Sequence, residues 1–122
     1  MYKENIQSVV EVIENYFDGL FTGDIQKLKQ VFDSRAWLYG NIKGTPYEKN
    51  LEEYLEGVKS RKSPESLGES FAMEILAVEV LDNVATAKVR IPMLGFNYYD
   101  FLSLACFNNR WLIVNKLFVH VE

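Results

Sequence analysis

Residues Tyr98 to Val121 read YYDFLSLACFNNRWLIVNKLFVHV, two long apolar runs joined by Asn108-Asn109. Paired asparagines tolerate the positive φ angles of a two-residue hairpin turn, so the stretch predicts two antiparallel strands. Phe107 then pairs with Arg110, Ser103 with Val114 and Phe101 with Lys116. Side chains alternate faces along a strand, which sorts the hairpin into two sets. One holds Tyr99, Phe101, Ser103, Ala105, Leu112, Val114, Lys116, Phe118 and His120. The other holds Tyr98, Asp100, Leu102, Leu104, Cys106, Trp111, Ile113, Asn115, Leu117 and Val119. Both are mostly apolar, so both faces need covering: one by the chain's own helices, the other by a second subunit. The isolated polar members are the places to look for chemistry.

Upstream, Ile6, Val9, Val10, Ile13, Tyr16, Phe17 and Leu20 recur at three- and four-residue steps, the signature of one buried helical face. Gly23 breaks that helix, and Asp24 N-caps a shorter one burying Ile25, Leu28, Val31 and Phe32. Ala36 to Ile42 reads as extended, with Trp37 and Tyr39 opposite Leu38. A third helix carries Leu51, Leu55 and Val58. Thr45-Pro46 and Asn50 with Glu53 both fit its start, and the later one is preferred. After a polar loop at Lys62 to Gly68 come only strands: Ser70 to Leu81, Val84 to Ile91, Phe96 to Phe107 and Arg110 to Val121. Helices first and a strand meander last predicts a single α+β domain over residues 1–122, a curved antiparallel sheet with helices on one face.

The chain has 122 residues and a formal net charge of −4, with 48% hydrophobic and 14% aromatic residues. No basic stripe suggests a nucleic-acid partner, and no apolar run reaches the roughly 18 to 20 residues that span a bilayer. No secretory signal is visible at Met1 to Asn5, so a cytoplasmic location is expected. The single cysteine, Cys106, excludes an internal disulfide and a multi-thiolate metal site. No metal-ligand spacing, phosphate-cradling glycine loop or nucleophile triad is present, and no cofactor is expected.

Asn15 to Phe32, NYFDGLFTGDIQKLKQVF, resembles the first two helices of nuclear transport factor 2-like domains, the cone-shaped fold also called cystatin-like. Asp100 to Phe118 is similar to the "putative lumazine-binding" branch, itself similar to SnoaL-like proteins. The resemblance covers nearly the whole chain and implies three helices packed on a curved sheet. It speaks weakly about function, because this superfamily hosts isomerases, dehydratases, epoxide hydrolases, transport factors and assembly modules. By resemblance to the ketosteroid isomerases, Tyr16, in the shared Tyr-x-x-x-Leu-x-x-Gly-Asp spacing, stands where they carry an oxyanion-hole tyrosine. Their catalytic base falls at Gly40, which has no side chain, and their protonated aspartate falls near Ser103. Scytalone-type dehydratases use histidine–aspartate pairs, whereas the only histidine here is His120, near the end of the sequence. Epoxide hydrolases of this fold use an Asp-Arg-Asp set, of which only Arg90 and Asp100 have counterparts.

The same comparison orients the hairpin. Ser103, Lys116 and Phe118 are expected to face the cone, and Leu104, Trp111, Ile113 and Leu117 the convex side where family members dimerise. The candidate ligand-binding residues are therefore Tyr16, Trp37, Tyr39, Phe101, Ser103, Lys116 and Phe118. Lys116 either binds an anionic group, acts as a Schiff-base nucleophile, snorkels to the rim or pairs with a helix carboxylate. Asp100 is expected to make a structural or interfacial bond, with Asn115 or a backbone amide. Three functions remain open: a binding domain for a small organic ligand, an isomerase, cyclase or dehydratase using Tyr16 and Lys116, and a dimerisation module whose cone its own side chains fill. A pocket of a few hundred Å³ would separate the first two from the third.

Overall fold

A computed structural model describes residues 2–122. Helix α1 (Tyr2–Thr22) buries Val9, Ile13, Tyr16, Phe17 and Leu20, the face its periodicity marks out. Helix α2 (Ile25–Val31) starts where expected: the Asp24 carboxylate accepts from the backbone N–H groups of Gln26 and Lys27. α1 and α2 approach closely because position 19 is glycine, where a Cβ would lie 2.7 Å from the Leu28 side chain. Helix α3 (Leu51–Ser60) opens on the later of the two candidate starts. Asn50 and Glu53 exchange side-chain-to-backbone hydrogen bonds in a full capping box.

Six strands complete the chain: β1 (Phe32–Ile42), β2 (Thr45–Asn50), β3 (Glu74–Leu81), β4 (Val84–Met93), β5 (Phe96–Phe107) and β6 (Arg110–His120). They form one sheet in the order β2-β1-β6-β5-β4-β3. All neighbours are antiparallel except β1 and β6, which run parallel, so the sheet is mixed rather than purely antiparallel. The α+β architecture of three helices on a sheet stands. Strand β2 is not foreseen from sequence, because TPYEKN carries no apolar alternation. It forms as an edge strand folded back on β1 through the Lys43-Gly44 turn, both residues at positive φ. Asn108 and Asn109 also adopt positive φ, and Phe107 pairs with Arg110, as a two-residue hairpin requires.

Farther from that turn the register departs from the simple count. Leu104 pairs with Ile113 but Ser103 pairs with Asn115, leaving Val114 as an extra, unpaired residue. This β-bulge inverts the alternation of β6 between its two halves. Trp111 and Ile113 face the helices before it, and Lys116 and Phe118 face them after it. On unbulged β5, Asp100, Leu102 and Leu104 share that helix-facing side. The assignment of Leu104, Trp111 and Ile113 to the convex face is thereby corrected: all three are buried in the core of a single chain. Leu117 does lie on the outer face, 51% exposed.

Candidate functional site

Because the bulge turns β6 over, Lys116 comes to lie opposite Leu102 instead of Phe101, and Phe118 opposite Asp100. The structure thus brings a carboxylate and an ammonium to one side of the sheet, beneath α1 and α3. Asp100 is 1% exposed and Lys116 6%, so neither is solvated. The Tyr16 hydroxyl, from α1, donates to Asp100 Oδ2 at 2.6 Å, the short range of an O–H···O⁻ bond. Lys116 Nζ lies 3.8 Å from the same oxygen and donates to the Tyr54 hydroxyl of α3 at 3.4 Å. Three rings enclose that ammonium, with centroids 4.7 Å (Tyr54), 4.9 Å (Phe118) and 5.6 Å (Tyr16) away. Ring faces stabilise a desolvated cation. The expected partners of Asp100, Asn115 or a backbone amide, give way to Tyr16; Asn115 donates instead to the Trp37 carbonyl.

Burial pushes the Asp100 carboxyl above its usual value, against the opposing pull of Lys116 and the Tyr16 hydrogen bond. Burial also works against the Lys116 charge, but Asp100 and then Tyr54 outweigh it and hold its pKa above the ordinary lysine value. Burial, followed by the Asp100 charge, raises the Tyr16 phenol well above the usual tyrosine value. The short phenol bond and the ammonium, both favouring charge on the carboxyl, leave an ion pair bridged by Oδ2. Asp100 Oδ1 has no hydrogen-bond partner.

Beside this cluster lies a cavity of about 70 Å³. Lys116, Asp100, Tyr54, Phe118, Tyr47, Tyr98, Ile42, Leu20, Ile91 and Met93 line it, with the exposed Arg61 side chain at its edge. That volume is well short of a few hundred Å³. Larger, more open hollows of about 380, 410, 500 and 590 Å³ lie elsewhere on the surface, away from the buried polar cluster. None contains a buried polar atom that lacks a partner.

Of the residues singled out from sequence, Lys116 and Phe118 line the cavity. Tyr16 does not line it, but bonds to Asp100 and lies against Lys116, which do. Trp37, Tyr39, Phe101 and Ser103 do not line it: they alternate with the inward residues Leu38, Leu102 and Leu104 and occupy the outer face. For Phe101 and Ser103 the unforeseen bulge misleads the parity. For Trp37 and Tyr39 the alternation with buried Leu38 already points outward. Sequence reasoning misses Tyr47 of β2, Tyr54 and Arg61 of α3 and its C-cap, and Tyr98 of β5, three segments far apart in the sequence. The Nδ1 of His120 accepts from the Asn97 backbone N–H at 2.9 Å.

Gly40 gains a physical explanation. A Cβ there would run into the Phe118 ring, which leaves no space for a side chain. Among the described residues no three His, Cys, Asp or Glu side chains group as a metal site, and no helix is long and apolar enough to cross a membrane.

Residues 4–119 match the family described as "Putative lumazine-binding". The chain belongs to that family. Its fold is that of nuclear transport factor 2-like proteins, as three solved structures show. One, a nuclear transport factor 2-like protein of unknown function from Shewanella baltica, superimposes with a TM-score of 0.88 over 100% of this chain and 98% of its own, at 19% identity. Another of unknown function, from Methylobacillus flagellatus, gives 0.87 over 98% and 94%, also at 19% identity. A third, from Silicibacter pomeroyi, gives 0.86 over 99% of each chain at 20% identity. At such identities the likeness establishes the fold alone. No curated protein sequence matches this member of the family.

Proposed function

We propose that this "Putative lumazine-binding" family member is a non-catalytic binding domain that holds a small organic molecule in its cone. One observation carries the proposal: Tyr47, Tyr54, Tyr98 and Phe118 line a cavity beside the buried Asp100–Lys116 pair. The isomerase alternative loses support at Gly40, whose space Phe118 occupies. Schiff-base chemistry loses support because the Lys116 ammonium is paired with Asp100 and so lacks the lone pair a nucleophile needs. The cavity of about 70 Å³ falls short of the few hundred Å³ that would mark a ligand pocket, so this reading requires the cavity to widen around its ligand, and the volume favours the self-filled dimerisation module as the second reading.

A second reading, compatible with the first, concerns the outer face. Tyr39 of β1, Leu117 of β6 and Phe101 of β5 are register neighbours across three strands, flanked by Trp37 and Val119, and all five are exposed. A contiguous apolar stripe of this kind is costly in water. A second copy of the chain, stacking the same stripe against itself about a two-fold axis, is the simplest cover. Native mass spectrometry of protein purified gently from cells tests both readings. The expected spectrum shows a dimer carrying a small-molecule adduct released by collisional activation. A bare protein from every preparation, with no thermal stabilisation by any member of a small-molecule library, would refute binding. A monomer at micromolar concentration would refute the dimer.

A further inference from the structure

Ligand binding in the cone, the function just proposed and the one on which a lid depends, requires the cavity of about 70 Å³ to widen. Leu20, Tyr54, Ile91 and Asp100 form walls that cannot move alone, since they sit on helices and paired strands and are packed in the core. The connection from α3 to β3 is different. Residues 61–73 contain no helix or strand, and a connection this long with neither is usually functional or disordered. Its middle is a compact, self-bonded turn. Ser63 Oγ accepts from the Ser66 N–H, and the Leu67 N–H is shared by the Ser63 and Pro64 carbonyls. The Gly68 and Glu69 N–H groups donate to the carbonyls of Glu65 and Pro64. Arg61 and Lys62 on one flank, and Ser70 and Ala72 on the other, are exposed. A rigid turn between exposed flanks suits movement as a unit.

Among the described residues, two hydrogen-bonded anchors tie this segment to the body of the domain. The Glu65 N–H donates to the Phe21 carbonyl, at the end of α1, at 3.0 Å. The Leu94 N–H, in the β4–β5 turn, is shared by both Glu69 carboxylate oxygens at 3.1 and 3.2 Å. Both anchors adjoin the cavity wall: Leu20 precedes Phe21, and Met93 precedes Leu94. Arg61, the first residue of the segment, lines the cavity itself. The Phe71 ring also rests edge-on against Phe17 and Phe21, yet it is half exposed. The anchor at Leu94 is strained. Leu94 and Gly95 form a two-residue turn at φ 55° and 80°, positions where asparagine and glycine avoid the steric cost that leucine bears. Packing against the core and the Glu69 carboxylate hold Leu94 there. Strain of this kind collects at switch points.

We infer that residues 61–73 are a lid on the cone, latched shut by the Glu69 carboxylate on the Leu94 amide. Unlatching lets the turn lift as one body, draws Arg61 away from the cavity and uncovers its Leu20–Met93 side to a ligand. Loss of a hydrogen bond to a charged group shifts such a closed–open equilibrium by at least about tenfold.

Backbone amide exchange followed by NMR on the full chain tests the lid. In the natural protein the Glu65 and Leu94 amides should open together, with protection within about threefold of each other and at least about a hundredfold below that of β5 and β6. In Glu69→Ala both should exchange at least about tenfold faster while β5 and β6 stay unchanged. Glu69→Gln, which keeps an acceptor, should recover most of the protection. Glu65 is the diagnostic amide, because its own bond to Phe21 is untouched by either substitution. Faster exchange of Leu94 alone would overturn the lid and leave Glu69 a local cap on the turn. Loosening of β5 and β6 along with the segment would also overturn it, since the opening would then be global. Anilinonaphthalene sulfonate, an anionic aromatic probe, should bind at least about tenfold more tightly to Glu69→Ala, with shifts at Met93 and Phe118. Concerted exchange without that gain would overturn the link between the segment and the cavity. These failures leave the binding function standing, because its own test is whether protein from cells carries a small molecule.

Discussion

Replacing Lys116 with methionine removes a buried ammonium while nearly preserving side-chain volume, so it tests the polar cluster with little added cavity. The change leaves Asp100, 1% exposed, with a single remaining partner, the Tyr16 hydroxyl at 2.6 Å. Breaking a buried ion pair from one side costs about 3–5 kcal/mol, because an uncompensated charge stays behind. The ammonium also loses the faces of Tyr54, Phe118 and Tyr16, an effect included in that range rather than added to it. Domains of this size lose roughly 3–5 °C in Tm per kcal/mol, so K116M should melt about 9–25 °C lower. Urea unfolding at pH 7, followed through the buried indole of Trp111, gives the free energy directly. The companion variant Y16F/D100L/K116M removes phenol, carboxylate and ammonium together. Apolar replacement of a whole buried pair is often neutral or stabilising, so the triple variant should recover most of the loss. A cost below about 1 kcal/mol for K116M, or a triple variant less stable than K116M, would refute the account of a mutually dependent buried network.

Gly40→Ala should destabilise the fold by about 1–3 kcal/mol through overpacking, since the new methyl group meets the Phe118 ring; Phe118→Leu added to it should restore part of that, as read by thermal melts. Asn50→Ala removes one half of the α3 capping box and should cost about 1 kcal/mol in urea unfolding, with no change in the helix boundaries seen by amide exchange beyond its first turn. Stability should fall as pH rises beyond about 10. Tyr16 and Lys116 are both raised in the fold above their ordinary values of 10.0 and 10.5, so their contributions are complete below those values and are lost as pH climbs through the folded ones. Unfolding free energies between pH 9 and 12 should show a shallower decline in Y16F, and an identical slope would contradict that assignment. Asp100 is also raised, from 3.8, so its contribution is complete below that value and diminishes upward. Protonating Asp100 therefore does not by itself weaken the fold on acidification.

Much of the architecture is legible in the sequence because its signals are local. The three- and four-residue steps of α1, the Asp24 and Asn50 caps and the Asn108-Asn109 turn each act within a few residues, and each appears where the sequence places it. Strand β2 is not legible, since TPYEKN gains its conformation from pairing with β1 rather than from any pattern of its own. The cavity is only partly legible. Sequence parity and resemblance put Lys116 and Phe118 on the correct side of the sheet, but Asp100 on the wrong one.

The amino-acid order by itself determined the kind of fold, the turn that closes the last hairpin and the absence of a side chain at Gly40. Tertiary structure decided which polar groups meet. A strand sequence such as LIVNKLF carries no mark of a bulge, because Val114 is as apolar as its neighbours and period-two alternation reads smoothly through it. The extra residue appears only when β6 must pair with β5 on one edge and β1 on the other while keeping both halves against the helices. One unpaired residue reverses every side chain beyond it, which is how Lys116 and Asp100 come to share a buried oxygen contact.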